Sequence, residues 1–138
     1  MTPSKAPLPF LGTWKLTKCE SSRPDLPHPT SSVTTFTLKE DAIHYSSDGV
    51  WSDGRAAKVT AVLQMDGSWC AVMGSTLADS LSFQIDGGSF GGKMKKSGVD
   101  VGTSRSTVSV DGRTMAGHWE LVGPGGTTVT WNTTSERQ

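Results

Sequence analysis

Asp-Gly pairs recur along this chain between short runs of residues that alternate between apolar and polar. A type I′ hairpin turn needs positive φ at both central residues, and Asp-Gly is among the pairs that adopt it most readily. The pairs lie at 48–49, 53–54, 66–67, 86–87 and 111–112, and Glu40-Asp41 separates two further runs. This spacing predicts a series of neighbouring antiparallel strands, because parallel strands would need crossover helices and none is indicated.

The runs between the turns have the period-two pattern of strands that bury one face. Leu81, Phe83 and Ile85, for example, alternate with polar residues. The predicted strands are 10–19, 33–39, 42–46, 58–65, 68–73, 79–85, 89–96, 99–110, 113–122 and 127–132. A sheet of this length exposes two edges unless it closes. The predicted fold class is therefore all-β, a single antiparallel up-and-down β-barrel of about eight to ten strands with little or no helix. A β-sandwich is the alternative architecture.

The length of 138 residues suits one domain, which can bury a core without metals or disulfides. Prolines at 3, 7 and 9 predict an irregular N-terminal arm over 1–9, followed by the barrel over 10–132 and a C-terminal tail over 133–138. The segment 20–31 contains prolines at 24, 27 and 29 and is predicted to be a long loop. We expect it to form a semi-rigid flap beside the 48–53 turn, where a ligand would enter the barrel.

Charge and cysteine content argue against several classes of function. The 13 Lys and Arg residues balance the 13 Asp and Glu residues, so the chain lacks the basic surface that nucleic-acid binding needs. The group Lys93, Lys95 and Lys96 fits a solvated strand edge. No stretch predicts a transmembrane segment or a signal peptide. We expect a cytoplasmic protein, or an exported one if a leader has been removed, with Cys19 and Cys70 as free thiols.

The residues from Phe10 to Leu16 read Phe-Leu-Gly-Thr-Trp-Lys-Leu and resemble the first strand of the calycin superfamily. Lipocalins carry Gly-x-Trp there, and fatty-acid-binding proteins carry Gly-Thr-Trp-Lys-Leu after two apolar residues. The resemblance implies a barrel in which Gly12 allows close approach of the first strand and Trp14 plugs that end.

The run from Ser106 to Met115 contains a turn similar to one near the end of bacterial lipocalin-like proteins of unknown function, which the chain resembles most over about residues 10–131. Two features depart from the better-known calycins. Fatty-acid-binding proteins have two helices where this chain has the proline-rich segment 20–31, and no lipocalin-type helix precedes the last strand.

No arrangement of residues indicates catalysis or metal binding. His28, His44 and His118 lack the spacing to one another or to other ligands that a zinc or iron site would need. The glycine-rich segment 87–92 lacks the Lys-Ser/Thr and the helix of a phosphate-binding loop. We therefore predict no catalytic residue, no metal ligand and no cofactor.

The aromatic content is the strongest functional signal, with five tryptophans in 138 residues. Binding pockets are mostly apolar with a few polar groups. The residues predicted to line such a cavity are Phe36, Tyr45, Trp51, Phe83, Met94, Met115 and Trp119. They predict non-covalent binding of a small apolar or amphipathic ligand. Two alternatives stay open: a barrel filled by its own side chains that binds proteins through Trp51, Trp69 or its loops, and a cofactor-free enzyme that uses Tyr45 or His44.

Overall fold

Ten antiparallel strands form a closed barrel in the computed structural model of this protein, which describes residues 8–122 and 124–138. Each strand pairs with the next along the chain, and β1 pairs with β10 to close the ring. The strands are β1 (Gly12–Ser21), β2 (Pro29–Lys39), β3 (Ala42–Trp51), β4 (Ala56–Gln64), β5 (Trp69–Met73), β6 (Ser80–Asp86), β7 (Ser89–Lys96), β8 (Val99–Val108), β9 (Thr114–Val122) and β10 (Thr128–Arg137). A 3-10 turn, Pro124–Gly126, precedes β10. The predicted all-β barrel is confirmed, and the sandwich alternative is excluded.

Most of the turns lie where the sequence places them, because the residues there accept positive φ. Glu40 and Asp41, between β2 and β3, have φ values of 48° and 66°. The turn predicted at Asp48-Gly49 is wrong, since β3 continues through it to Trp51. A Cβ on Gly49 would lie 2.4 Å from the Ser31 carbonyl oxygen. This glycine therefore allows β2 and β3 to approach each other closely, and it does not form a turn.

Two boundaries differ from the sequence expectation. The predicted 20–31 loop shortens to 22–28, because the end of β1 pairs with β10 and β2 begins at Pro29. The last strand extends to Arg137, so most of the segment 133–138 is strand and not a tail. Its inward-facing residues Thr133 and Ser135 are polar, so the apolar alternation that indicates a strand is missing there. Residues 1–7 of the expected arm lie outside the described residues.

The barrel has two differently built ends. We call the end where β1 begins the lower end, and the opposite end, with segments 22–28, 52–55 and 74–79, the upper rim. A lower cluster contains Phe10, Trp14, Phe36, Ile43, Ala61, Leu63, Cys70, Phe83, Phe90, Val108 and Met115. An upper cluster contains Ala78, Met94, Leu121, Val129 and Trp131, with Leu26, Leu77, Trp51 and Trp119 packed against it. The candidate site lies between these two clusters.

Candidate binding cavity

A cavity of about 250 Å³ lies inside the barrel between the lower and upper clusters. Strand alternation directs every second side chain into it. All seven residues predicted from the sequence lie on its wall, namely Phe36, Tyr45, Trp51, Phe83, Met94, Met115 and Trp119. The structure therefore brings these residues together around one space, and their role in binding a ligand stays a prediction.

Aromatic side chains form the two ends of this cavity. Near the lower cluster, the ring centres of Phe36 and Tyr45 are 5.3 Å apart. Near the upper rim, the Trp131 ring centre lies 5.5 Å from that of Trp51 and 6.2 Å from that of Trp119. The set of seven predicted lining residues does not include Trp131, although Trp131 shares the parity of Val129, another apolar residue of the same strand. The three tryptophans give the upper end a continuous apolar wall.

The indole N–H of Trp131 is buried and lacks a hydrogen-bond partner among the described residues. Trp131 itself is 5% exposed. The Trp51 ring meets the Trp131 ring edge-to-face, at 78° between the planes. Burial of a polar group without a partner costs free energy, so this side chain is held in place by packing and not by hydrogen bonding.

Hydroxyl groups interrupt the apolar wall. Those lining the cavity, apart from Tyr45, belong to Ser31, Ser32, Thr34, Ser47, Ser75, Ser104, Ser106, Thr133 and Ser135. The oxygens of Thr34 and Ser47 are 3.0 Å apart. Burial raises the pKa of the adjacent Tyr45 phenol, and hydrogen bonds with Ser47 and Thr34 partly oppose this effect. The phenol is therefore protonated at neutral pH and can both donate and accept a hydrogen bond.

Two strands on another side of the wall, β8 and β10, supply a second group of hydroxyls. Ser106 comes from β8 and Thr133 from β10, and Gly117 of β9 lies between them. A Cβ on Gly117 would lie 2.5 Å from the Thr133 hydroxyl oxygen and 3.2 Å from that of Ser106. The absence of a side chain at Gly117 thus leaves both hydroxyls room at the cavity surface.

The lower end is closed by Trp14 and the residues around it. Trp14 is 1% exposed, and its indole N–H donates to the Phe10 carbonyl oxygen at 2.8 Å. Gly12 has a φ of 120°, and a Cβ there would lie 2.7 Å from Nη1 of Arg137. Gly12 and Trp14 therefore lie at the end of the barrel where the resemblance places a plug.

Arg137 ties the end of β10 to this closed end, and sequence reasoning did not anticipate it. Its guanidinium carbon lies 4.3 Å from the centre of the Trp14 ring. Nη1 and Nη2 each donate at 2.6 Å, to the carbonyl oxygens of Leu11 and Pro9 respectively. Nε donates to the Gly112 carbonyl oxygen at 2.7 Å. One planar side chain thus links β10 to two other backbone segments, residues 9–11 and the turn that contains Gly112.

At the upper rim, two loops are hydrogen-bonded to each other. The Ser52 N–H donates to the His28 carbonyl oxygen at 2.8 Å, and the His28 N–H donates to the Ser52 hydroxyl at 3.1 Å. Leu26 of the same loop packs against the upper cluster. Leu77, from the segment 74–79, lines the cavity. The loops 22–28 and 52–55 therefore form one unit over this end.

The remaining candidate groups lie outside the cavity. His44 and His118 are exposed on the outer face, and His28 lies in a rim loop. The hydrogen bond to Asn132 and the neighbouring Glu120 carboxylate raise the pKa of His118. Residues 8–122 and 124–138 contain no group of three or more His, Cys, Asp or Glu side chains that could hold a metal ion. Both cysteines are free.

The other two motifs also have structural roles. The glycine-rich segment 87–92 forms the turn between β6 and β7 and the first residues of β7. Of the three clustered lysines, Lys95 places its ammonium 4.5 Å from the ring centre of Trp69, and Lys96 donates to the Thr76 carbonyl oxygen at 2.8 Å. Both contacts are on the outer side of the barrel.

Solved structures share this architecture over nearly the whole chain. Zebrafish ileal bile acid-binding protein, complexed with cholic acid, superposes with a TM-score of 0.56 at 12% identity, over 94% of this chain and 99% of its own. This chain shares the fold of that protein. The barrel also matches the S-type phycobiliprotein lyase CPES of Guillardia theta, with a TM-score of 0.55 at 12% identity over 94% and 89% of the two chains. EF1p2_mFAP2b bound to DFHBI gives a TM-score of 0.56 at 12% identity, over 94% of each chain.

Neither a protein-family model nor a curated protein matches the sequence of this chain. Within the ranges that the structure describes, no helix is long and apolar enough to cross a membrane.

Proposed function

We propose that this calycin barrel binds a small apolar or amphipathic molecule non-covalently in its interior. The observation that carries the proposal is the cavity of about 250 Å³ walled by inward-facing aromatic residues. Transfer of apolar ligand surface from water into this space supplies the driving force. An apolar cavity of about 150 Å³ accommodates benzene, so this one has room for a ligand of about ten non-hydrogen atoms.

Two of the structural neighbours hold a small molecule, cholic acid in one and DFHBI in the other. These cases support the proposal because a barrel of the same fold leaves space for a ligand, although the similarity extends to fold alone. The ligand of the present chain is proposed from its own cavity.

We place ligand access at the upper rim. The lower end is closed by Trp14, Phe10 and the Arg137 contacts. At the upper rim, by contrast, movement of residues 23–28 and 52–55 would break the two His28–Ser52 hydrogen bonds and the packing of Leu26, while two hydrogen bonds between Ser22 and Thr130 hold the start of the loop to β10. Such a movement leaves the strand ladders intact.

The two alternatives have less support. A protein-binding role through Trp51 is disfavoured because Trp51 lines the cavity, which leaves Trp69 as the exposed tryptophan, at 45%. An enzyme that uses His44 is disfavoured because this side chain is exposed on the outer face. Tyr45 does line the cavity, but burial favours its neutral form, which is a poor base.

Tryptophan fluorescence and native mass spectrometry test the proposal together. Freshly purified protein should carry a co-purified small molecule in native mass spectra. Titration of ligand-free protein with alkanols, medium-chain fatty acids and a small hydrophobic dye should quench or shift the tryptophan emission for at least one compound. Trp51→Phe should reduce that response. Trp69→Phe is the matched control, because Trp69 lies on the outside, and it should leave the response unchanged.

The proposal is abandoned if no compound binds more tightly than about 100 µM, which corresponds to about −5.5 kcal/mol, and no molecule co-purifies. An equal loss of response in Trp51→Phe and Trp69→Phe would also contradict it, because the ligand would then not be inside the barrel.

A further inference from the structure

We infer that the cavity selects uncharged ligands that carry a hydroxyl or carbonyl oxygen, and discriminates against carboxylates of the same size. This inference rests on the proposed function and names the chemical class of its ligand. It follows from the side chains that the described residues place on the cavity wall.

The wall offers no counter-charge to an anion. Among the described residues that line the cavity, none is Asp, Glu, Lys, Arg, His or Cys, and Tyr45 is the one side chain that can ionise. Because burial keeps that phenol protonated at neutral pH, the wall is neutral throughout the physiological range. An ionised carboxylate inside would lose its hydration without gaining a cation.

The same wall suits a neutral oxygen. Thr34, Ser47 and Tyr45 form one group of hydroxyls, joined by the Thr34–Ser47 contact of 3.0 Å. Ser106 and Thr133 flank Gly117 in the second group. A hydroxyl group both donates and accepts hydrogen bonds, so it can pair with an alcohol, a ketone or an ester. A pure hydrocarbon would leave the hydroxyls without a ligand partner, which favours a ligand with one polar end.

Arg55 is a cation at the upper rim, outside the cavity wall but close to it. Its guanidinium carbon lies 4.9 Å from the ring centre of Trp51, and the residue is exposed. A fatty acid held with its tail in the cavity and its carboxylate outside would use this group. The test therefore includes Arg55→Gln, which removes the charge and leaves the cavity wall unchanged.

The test compares 1-decanol with decanoic acid, which share a chain length and differ in charge at neutral pH. Binding to ligand-free protein is measured by isothermal titration calorimetry at pH 7.5 and pH 5.5. With a carboxyl pKa near 4.3, only about one acid molecule in a thousand is neutral at pH 7.5. We expect decanol to bind at least about 100-fold more tightly than decanoic acid at pH 7.5. The affinity for the acid should rise about tenfold per pH unit as the pH falls, while that for decanol stays constant.

Two variants locate the polar contact. Thr133→Val replaces the hydroxyl with a methyl group of similar size and should weaken decanol binding about three- to tenfold, since one hydrogen bond is worth about 0.5–1.5 kcal/mol. Thr103→Val, on the exposed face of β8, is the matched control and should leave the affinity for decanol unchanged. Circular dichroism melts establish that both variants are folded.

Equal affinity for the acid and the alcohol at pH 7.5 overturns the inference while the proposed function stands. If Arg55→Gln then removes acid binding, the carboxylate lies at the rim and the inference is likewise wrong. Absence of binding by both compounds at both pH values, together with the absence of a co-purified molecule, removes the proposed function and this inference with it.

Discussion

Trp14→Phe and Trp131→Phe remove the same atoms from two buried tryptophans, which are 1% and 5% exposed, but should affect stability differently. The indole N–H of Trp14 donates to the Phe10 carbonyl at 2.8 Å. The indole N–H of Trp131 has no hydrogen-bond partner among residues 8–122 and 124–138. The apolar atoms lost are the same in each case, so the difference between the variants reports the hydrogen bond together with the contact of Arg137 with the Trp14 ring.

The size of the expected difference in the free energy of unfolding follows from the cost of leaving a buried polar group without a hydrogen bond. Trp14→Phe loses a hydrogen bond and leaves the Phe10 carbonyl without this donor, at a cost of about 1–3 kcal/mol. Trp131→Phe removes a buried donor that was already unpaired, which relieves a desolvation cost instead. We therefore expect Trp14→Phe to lower the free energy of unfolding by at least about 2 kcal/mol more than Trp131→Phe.

Urea unfolding of ligand-free protein, followed by far-UV circular dichroism, measures this difference without relying on a tryptophan signal that each variant changes. The denaturant slopes of the two variants must agree for the comparison to hold. Losses that agree within about 0.5 kcal/mol, close to the error of such comparisons, would refute the assignment of a stabilising hydrogen bond at Trp14.

Two further predictions concern charged groups outside the cavity. Arg137→Lys should lower the free energy of unfolding by about 1–2 kcal/mol, because a lysine ammonium lacks the planar fork that binds three carbonyl oxygens; unchanged urea unfolding would contradict this. His118 should titrate above its ordinary pKa because of its hydrogen bond to Asn132 and the nearby Glu120 carboxylate, and Glu120→Gln should lower that pKa in an NMR titration. Since the folded-state pKa is raised, the stability from this residue is complete below the unfolded-state pKa and is lost as pH rises through the folded-state pKa.

The barrel could be predicted because turn chemistry and alternation agreed along most of the chain. Leu81, Phe83 and Ile85 share one face in the sequence, and in the structure all three are at least partly buried. The seven lining residues are predicted from the aromatic and apolar content of the chain, and they do line one cavity.

Prediction from the sequence failed in two situations. In one, the inward-facing residues of a strand are polar, and in the other, a side chain or a glycine contacts a backbone group of another segment. Thr133 and Ser135 point into the cavity, so the strand that carries them has no apolar alternation at its end. Gly49 follows an aspartate, as in a hairpin turn, but serves a close approach of two strands. The acceptors of Arg137 are carbonyl oxygens, which every residue has and which therefore leave no trace in the sequence.

The pairing of β1 with β10 also determines when this barrel can form. Thr17 donates to the Thr134 carbonyl oxygen, 117 residues further along the chain, and contacts of such long range are slow to form because the loop must close first. During synthesis on the ribosome, β10 is the last strand of the barrel to be made. Until it arrives, the nascent sheet has two unpaired edges, β1 and β9, and each can pair with another chain. The β1–β10 pairing that closes the mature barrel is therefore absent from the nascent chain, which depends on fast pairing of β10 once that strand has been made.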